Sequence, residues 1–460
     1  MDKRMVIMKV HFIAIGGSAM HNLAIALKLK GYRVTGSDDE IFEPAHGRLG
    51  KYGILPEKEG WDPAKITPDL EAVILGMHAK GDNPELAAAR TLGLRIYSYP
   101  EYLYEASKDK IRVVIAGSHG KTTITSMILH VLQRVGIETD YMVGAQLEGF
   151  EVMVKISDSA RFMVLEGDEY LSSTLDPRPK FHLYRPDIAL LSGIAWDHMN
   201  VFPTFENYIS QFSRFLECFE PRGKLVYCES DPVVASISES SRKDIEKIPY
   251  GNLDYIIKEK KTRLLVNGLE FPVNVFGRHN VQNIHGAWLI CRQLGVSDEE
   301  FLMAIESFSG ASKRLQILAE SPDCNVYKDF AHSPSKLKAT TLAVKELFPE
   351  RKLVACLELH TYSSLNKDFL PLYKGCMDAA DIPVVYFSHH ALALKRLPEL
   401  TTQDIRDAFS LDRLMVFNDS LKMKEFLLSL DLTNKNLLLM SSGNFDGLDL
   451  DDLAEKILPV

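Results

Sequence analysis

A glycine-rich turn followed by a lysine and two threonines is the part of this sequence best suited to chemistry. The apolar run at residues 113–116 predicts a buried strand, residues 117–120 turn the chain, and the apolar spacing after Lys121 is helical. Backbone N–H groups and the dipole at such a helix start attract an anion, Lys121 can reach the outer phosphates, and the Thr122 hydroxyl can ligate magnesium. We therefore predict a nucleoside triphosphate site. Its residues are Gly117, Ser118, His119, Gly120, Lys121, Thr122 and Thr123.

This loop is a shortened variant of the usual phosphate-binding pattern. The full pattern has a glycine where this chain has Ile115. The alternative is a glycine-rich turn before an ordinary helix. The strand, turn and helix context favours the phosphate site.

Acidic and histidine side chains follow two further predicted strands. Residues 161–165 lead into Glu166-Gly167-Asp168-Glu169, and residues 187–191 lead towards Asp197 and His198. Ligands of open α/β sheets gather at the carboxyl ends of strands, so these groups should meet the phosphate loop. Glu166 and His198 are candidate ligands for a cation that bridges phosphates. Solvated charges at strand ends remain the alternative.

The N-terminal region predicts a nucleotide-binding βαβ unit. A strand from His11, a turn at residues 16–18, a helix to Lys30 and a second strand ending before Asp38 are in the required order. Asp38 is placed for ribose or base recognition. The turn departs from the dinucleotide pattern GxGxxG, which argues against a plain dehydrogenase, and a purely structural turn remains the alternative.

Two polar residues open a helix in the middle of the chain. The residues before it, 254–276, alternate in short runs around Asn267-Gly268 and predict a β-hairpin. Asn280 and Asn283 then share a helix face, and their amides suit an adenine edge. A helix start with a polar first turn is an equally acceptable interpretation.

The remaining predicted elements form an α/β chain of three units, each with alternating strands and helices. The first unit is Rossmann-like, the central unit carries the phosphate loop on a mostly parallel sheet, and the last is again Rossmann-like. The predicted domains are residues 1–108, 109–311 and 312–460.

Composition narrows the function classes. The chain has 460 residues, 46% of them apolar, and a formal net charge of −9, which argues against general nucleic-acid binding. The six cysteines are scattered without a CxxC pair and predict reduced thiols. With no apolar run long enough to span a membrane, we expect a cytoplasmic protein without a membrane partner. The sequence leaves the oligomeric state open.

Taken together, these segments resemble the Mur ligase family of ATP-dependent amide-forming enzymes, over nearly the whole chain. The resemblance depends on an ordered series of motifs, each weak alone. They are GGSAM, GSD, GSHGKTT, EGDE, DH, GRHNVQN, KR and DFAHSP.

The resemblance implies a role for each matching position. Gly17, Ser18 and Asp38, with their neighbours Gly16 and Ala19, would bind the UDP part of a UDP-sugar. Lys121 would hold the β- and γ-phosphates of ATP, Thr122 a first magnesium ion, and Glu166 with His198 a second. Asn280 and Asn283 would face adenine, Arg314 and Asp329 would close onto phosphates and ribose, and His332 would lie near the incoming amine. The catalytic residues would be Lys121, Glu166, His198 and Arg314.

The implied reaction activates a carboxylate as an acyl phosphate, which an amine then attacks. Lys121, Arg314 and two magnesium ions would offset the repulsion between carboxylate and phosphate. No protein nucleophile is required. Ser213 and Arg214 stand where several family members carry a carbamylated lysine, so we predict no such modification.

Two activities within the family compete. One adds L-alanine to UDP-N-acetylmuramate, and the other attaches the tripeptide L-alanyl-γ-D-glutamyl-meso-diaminopimelate in peptidoglycan recycling. Residues 36–54, 166–188 and 440–448 resemble the tripeptide ligase, and residues 360–364 lack both arginines of the alanine ligases' HRYTR-like segment. However, Asn444, Asp446 and His360 depart from the tripeptide pattern. A phosphotransferase or NTPase and a non-catalytic UDP-sugar binder are the remaining alternatives.

Overall fold

Parallel β-sheets covered by helices follow one another along the chain. The computed structural model describes residues 7–147, 149–311 and 314–458. It confirms the predicted α/β fold with mostly parallel sheets. Within these residues, no helix combines the length and the apolar composition that crossing a bilayer requires.

The first sheet forms from the predicted N-terminal βαβ unit and its continuation. Its strands are β1 (Lys9–Ile13), β2 (Arg33–Ser37), β3 (Ala72–Leu75) and β4 (Ile96–Ser98), and its helices are α1 (Ser18–Leu29), α2 (Ala45–Lys51), α3 (Pro84–Thr91) and α4 (Tyr99–Ser107). The strands are parallel in the order β2-β1-β3-β4. A capping box of Ser98 and Glu101 starts α4, which ends at Ser107, one residue before the predicted end of the first domain.

The second sheet has the strand of the phosphate loop at its centre. Its strands are β5 (Ile111–Ala116), β6 (Thr139–Met142), β7 (Val154–Lys155), β8 (Phe162–Gly167), β9 (Ile188–Leu191), β10 (Lys224–Cys228) and β11 (Glu246–Tyr250), with helices α5 (Lys121–Arg134), α6 (Phe205–Glu217) and α7 (Pro232–Ser240). The order is β11-β10-β9-β5-β8-β6-β7. Within the described part of this sheet, β6 pairs with β7 in antiparallel fashion and the other pairings are parallel. Ala116 is in register with both Gly167 and Leu191, so β5, β8 and β9 end at one edge.

A small antiparallel sheet follows. It contains β12 (Tyr255–Lys258), β13 (Lys261–Val266) and β14 (Leu269–Val273), and helices α8 (Arg278–Gln293) and α9 (Asp298–Ile305) come next. Asn267 and Gly268 both have positive φ, as a tight turn of this kind needs. The predicted hairpin is therefore present, and β12 extends it by a further strand.

The last sheet is mostly parallel. Its strands are β15 (Gln316–Glu320), β16 (Asn325–Asp329), β17 (Lys352–Leu359), β18 (Ile382–Phe387), β19 (Met415–Phe417) and β20 (Lys435–Met440), with helices α10 (Pro334–Leu347), α11 (His389–Leu394), α12 (Thr402–Phe409), α13 (Ser420–Ser429) and α14 (Leu450–Ile457). Short 3₁₀ helices lie at Pro63–Lys65, Lys180–Leu183 and Leu370–Tyr373. The strand order is β15-β16-β20-β17-β18-β19, and β15 is antiparallel to β16. The predicted domain start at residue 312 lies outside the described residues.

Candidate active site

The turn between β5 and α5 needs glycine at two positions. Gly117 has a φ of +131° and Gly120, which precedes α5, has a φ of +79°. A Cβ atom on Gly117 would lie 2.2 Å from Ser192 Oγ, so a side chain there would have to displace Ser192 or the turn. The Ser118 N–H donates to Gly193 O at 2.9 Å. The segment after β9 thus holds the turn at the carboxyl edge of the sheet.

Lys121, the first residue of α5, is held by a buried carboxylate. Its ammonium pairs with Glu169 and donates to Gly117 O at 2.6 Å. The Glu169 side chain is 1% exposed and also accepts the Tyr208 hydroxyl at 2.9 Å. Burial on its own lowers the pKa of Lys121, but the charges of Glu169 and Asp168 outweigh it and raise that pKa above its ordinary value. Lys121 is therefore a fixed cation beside the phosphate loop.

Glu166, at the end of β8, lies against the start of α5. Its carboxylate oxygens accept the Thr122 hydroxyl at 2.8 Å and the Gly144 N–H at 2.9 Å. Such oxygens are the ligands that magnesium prefers, with phosphates and water completing its shell. Among the described residues no group of three or more His, Cys, Asp or Glu side chains could hold a metal unaided. The pair therefore fits a magnesium ion shared with bound phosphates.

His198 lies beside Glu169, whereas Glu166 was predicted to share a metal ion with it. Its Nε2 atom lies 3.7 Å from Glu169 Oε1. The residue has a left-handed φ of +55°, and its backbone N–H donates to Asp197 Oδ1 at 2.8 Å. This hydrogen bond fixes the backbone from which the imidazole ring extends. A metal ion shared by His198 and Glu166 stays a prediction. Glu169 belongs to the same acidic run as Glu166. This run is the sequence feature that could have indicated a role for Glu169.

The start of α10 reaches this cluster from the last sheet. His332 Nε2 and Lys336 Nζ each lie 3.8 Å from Asp197 Oδ2. Burial alone raises the pKa of Asp197, but the neighbouring His332 ring and the charge of Lys336 hold it far below its usual range. Asp197 is thus an anion that links the central and last sheets at the site.

Asp329 organises the turn before α10. Its carboxylate accepts the Leu315 N–H at 2.8 Å and the Ala331 N–H at 3.0 Å. The Arg314 guanidinium lies over the Phe330 ring at 4.7 Å from its centre. Asp329 therefore holds the segments that carry Arg314 and the residues after Phe330 next to each other.

Asn280 and Asn283 lie on one face of α8, as predicted. The Asn280 side chain donates to Phe276 O at 2.9 Å, and Asn283 Nδ2 lies 3.4 Å from Asn280 Oδ1. A Cβ atom on Gly120 would come within 2.7 Å of Asn283 Oδ1. The helix thus packs its amides against the phosphate loop.

All these groups face one cavity of about 310 Å³. It brings together nearly all residues predicted for nucleotide, metal and amine, although Gly117 is not in its wall. The predicted residues that line it are Ser118, His119, Gly120, Lys121, Thr122, Thr123, Glu166, His198, Asn280, Asn283, Arg314, Asp329 and His332. Glu169 and Asp197 also line it; they belong to the two polar clusters expected to meet the loop, although neither was given a role of its own. Lys336 lines it as well, and nothing in the sequence indicated this residue.

The predicted UDP-sugar residues form a separate group, outside the wall of this cavity. Asp38 Oδ2 accepts the Gly16 N–H at 2.7 Å, and burial raises the pKa of Asp38 above its ordinary value. Gly17 precedes α1, and Ser18 and Ala19 are exposed at its start. One Asp38 oxygen is therefore used to shape the turn of the βαβ unit.

The fold and the cavity define an α/β enzyme of the phosphate-loop, nucleotide-binding class. Residues 115–291 match the model of the Mur ligase middle domain, and residues 9–111 match that of the Mur ligase family, catalytic domain. The UDP-N-acetylmuramate–L-alanine ligase of Arthrobacter sp. strain FB24 is 30% identical over 391 residues, which cover 82% of this chain and 80% of that protein. The chain therefore belongs to the Mur ligase family, whose members are ATP-dependent, ADP-forming ligases.

Two further comparisons extend over almost the whole chain. The UDP-N-acetylmuramate–L-alanyl-γ-D-glutamyl-meso-2,6-diaminoheptandioate ligase of Haemophilus influenzae is 27% identical over 97% of this chain and 99% of its own. The structure of the UDP-N-acetylmuramate–alanine ligase of Thermotoga maritima superposes with a TM-score of 0.67 and 21% identity, over 98% of each chain. The structural match shows the shared fold, and the relatives differ in the amine that they attach.

Proposed function

We propose that this protein joins UDP-N-acetylmuramate to the tripeptide L-alanyl-γ-D-glutamyl-meso-diaminopimelate, with conversion of ATP to ADP and phosphate. The observation that carries the proposal is the convergence of Lys121, Glu166 and Arg314 on one cavity. In this proposal residues 1–108 bind the UDP-sugar through Gly16, Gly17, Ser18, Ala19 and Asp38, residues 109–311 bind ATP, and residues 312–460 bind the amine. His332 would lie beside that amine.

The proposed reaction has two steps. A carboxylate oxygen of the UDP-sugar attacks the γ-phosphorus, the bond to ADP breaks, and an acyl phosphate forms. The amine of the second substrate then attacks the acyl carbon and expels phosphate. Lys121 and Arg314 lower the barrier because they offset the negative charges that must approach each other. Asn280 and Asn283 would hold adenine, and Asp329 the ribose.

Two magnesium ions complete the proposed site. Thr122 is the candidate ligand of the first, and Glu166 with His198 of the second; the contact between Thr122 and Glu166 would let Glu166 join the first site as well. When bound, the ions would supply positive charge to the phosphate oxygens. The buried oxygen pair of Thr122 and Glu166, 2.8 Å apart, supports the first assignment.

Two observations support the tripeptide as the amine substrate. Residues 360–364 carry no arginine, and within this segment Ser363 Oγ accepts the Met199 N–H at 3.1 Å, immediately beyond His198. The segment thus adjoins the site without the cations that would hold a free alanine carboxylate. Furthermore, similarity to the Haemophilus influenzae tripeptide ligase extends over 97% of the chain, against 82% for the Arthrobacter alanine ligase.

L-Alanine is the second candidate substrate, favoured by the 30% identity to the Arthrobacter alanine ligase. Incubation with ATP, magnesium and UDP-N-acetylmuramate distinguishes the two when L-alanine and the tripeptide are offered separately. We expect phosphate release and a product of the corresponding mass with the tripeptide. Turnover with L-alanine alone would overturn the substrate assignment while leaving the ligase reaction in place.

A further inference from the structure

Lys336 is a cation of the cavity to which the predicted reaction assigns no role. It lies in the first turn of α10, its side chain is 20% exposed, and it lines the same cavity as the phosphate loop. Its Nζ atom is 3.8 Å from Asp197 Oδ2. That separation permits an ion pair but exceeds hydrogen-bond distance. The ammonium therefore lies near Asp197 without donating a hydrogen bond to that carboxylate.

Lys336 and the phosphate loop line the same cavity, so their charges influence each other. Burial lowers the pKa of Lys336; the Asp197 carboxylate opposes this, and the charges of Lys121 and Arg314 add to it. Burial, and next the charge of Lys336, lowers the pKa of His119 in the loop. Lys336 thus interacts electrostatically with Lys121 and Arg314, the two cations assigned to the phosphates, and with His119 of the loop.

The cations of the site follow a common arrangement. Lys121 is paired with Glu169, and Lys336 is paired more loosely with Asp197. Both carboxylates are buried, with side chains 1% and 8% exposed. Like charges that converge on one cavity repel one another, and an anion bound between them removes that repulsion. An outer phosphate placed between Lys121 and Lys336 would therefore bind both.

We infer that Lys336 contacts the γ-phosphate of bound ATP and remains on it during transfer to the carboxylate. The inference rests on the proposed function, because it needs ATP in this cavity. Lys336 keeps its proton throughout: the carboxylate oxygen forms the new bond to phosphorus, and ADP leaves with the electrons of the broken bond. The last sheet would then supply Lys336 as well as Arg314 to the phosphates that the central sheet holds.

The test compares Lys336→Met with Lys336→Arg and with Lys338→Met. Lys338 is exposed on the same helix, which makes its variant a matched control. Affinities for ADP and for a non-hydrolysable ATP analogue are measured with magnesium but without sugar or amine, and kcat is measured with all substrates. Melting temperatures are recorded for each protein.

We expect Lys336→Met to bind the ATP analogue at least 10-fold more weakly while its affinity for ADP stays within twofold. Its kcat should fall about 100-fold, as for loss of one preorganised donor. Lys336→Arg should recover part of the affinity for the ATP analogue and part of kcat. Lys338→Met should have the same affinities and kcat as the unmodified protein. Equal weakening for ADP and the analogue, or no weakening for either, would overturn the inference. Failure of the unmodified protein to consume ATP with the sugar and either amine would instead overturn the proposed function.

Discussion

Replacement of Lys121 by methionine should separate the catalytic contribution of this residue from its structural one. Methionine keeps most of the side-chain volume and removes the ammonium. Lys121 and Glu169 form a pair whose side chains are 14% and 1% exposed. Loss of the cation therefore affects both the phosphates and a carboxylate that remains buried.

The expected magnitudes follow from these two effects. Loss of a preorganised donor to the transferring phosphate should cost about 3 kcal/mol of transition-state stabilisation, or roughly a 100-fold fall in kcat. A buried carboxylate that loses its partner typically costs about 3 kcal/mol or more of folding free energy. The Tyr208 hydroxyl still donates to Glu169, which places the expected stability loss at the lower end of that range.

The double variant Lys121→Met, Glu169→Gln distinguishes the two contributions. Glutamine removes the unpaired charge, so stability should return to within about 1 kcal/mol of the unmodified protein. Activity should stay low, because the amide does not replace the ammonium. Phosphate release and thermal denaturation are measured on the unmodified protein, on the single variants Lys121→Met and Glu169→Gln, and on the double variant. Normal activity in the double variant would show that Lys121 serves only to neutralise Glu169, and would refute its role at the phosphates.

Three further predictions concern the loop and its neighbours. Gly117→Ala should lose most of the affinity for ATP, because its Cβ atom would lie 2.2 Å from Ser192 Oγ. Gly136 also has a positive φ, but a Cβ atom there would have no neighbour within 4 Å, so Gly136→Ala should retain that affinity. Nucleotide titration measures both variants. Burial and the charge of Lys336 lower the pKa of His119 from 6.5 to about 4. Between these two pH values the unfolded chain binds a proton that the folded protein does not, so the free energy of unfolding should fall as the pH drops from 6.5 towards 4. His119→Gln should weaken the dependence of the unfolding free energy on pH in this range. An unchanged slope would show that His119 does not cause that dependence. Glu166→Gln should raise the magnesium concentration for half-maximal rate about 10-fold in a metal titration, and an unchanged requirement would remove Glu166 from the metal site.

Much of the fold follows from local patterns. The apolar run before the phosphate loop and the helical spacing after it predicted β5 and α5 closely, because a central parallel strand is buried on both faces. Edge strands carry weaker signals. β11 contains Pro249, which is tolerated because this strand lies at the sheet edge, and β15 is an edge strand with an exposed Ile317. Neither has the continuous buried run that marks a central strand.

The site was predictable where one short segment carries the chemistry. Lys121 and Thr122 follow directly from strand, turn and helix order. Glu169 and Asp197 were expected near the loop as members of polar clusters, but their ion pairs, and Lys336 altogether, were missed because these contacts join residues far apart in the chain. Only the packing of the last sheet against the central one brings Lys336 to Asp197, and no local spacing encodes that contact.

Transfer of an oxygen isotope tests the proposed reaction most directly. UDP-N-acetylmuramate labelled with ¹⁸O in its carboxylate is incubated with ATP, magnesium and the tripeptide, and the released phosphate is examined by mass spectrometry. An acyl phosphate requires one carboxylate oxygen to leave with phosphate, so we predict one ¹⁸O atom per phosphate released and one retained in the amide. Phosphate without ¹⁸O would mean that water attacks ATP, and would contradict a ligase that activates the carboxylate.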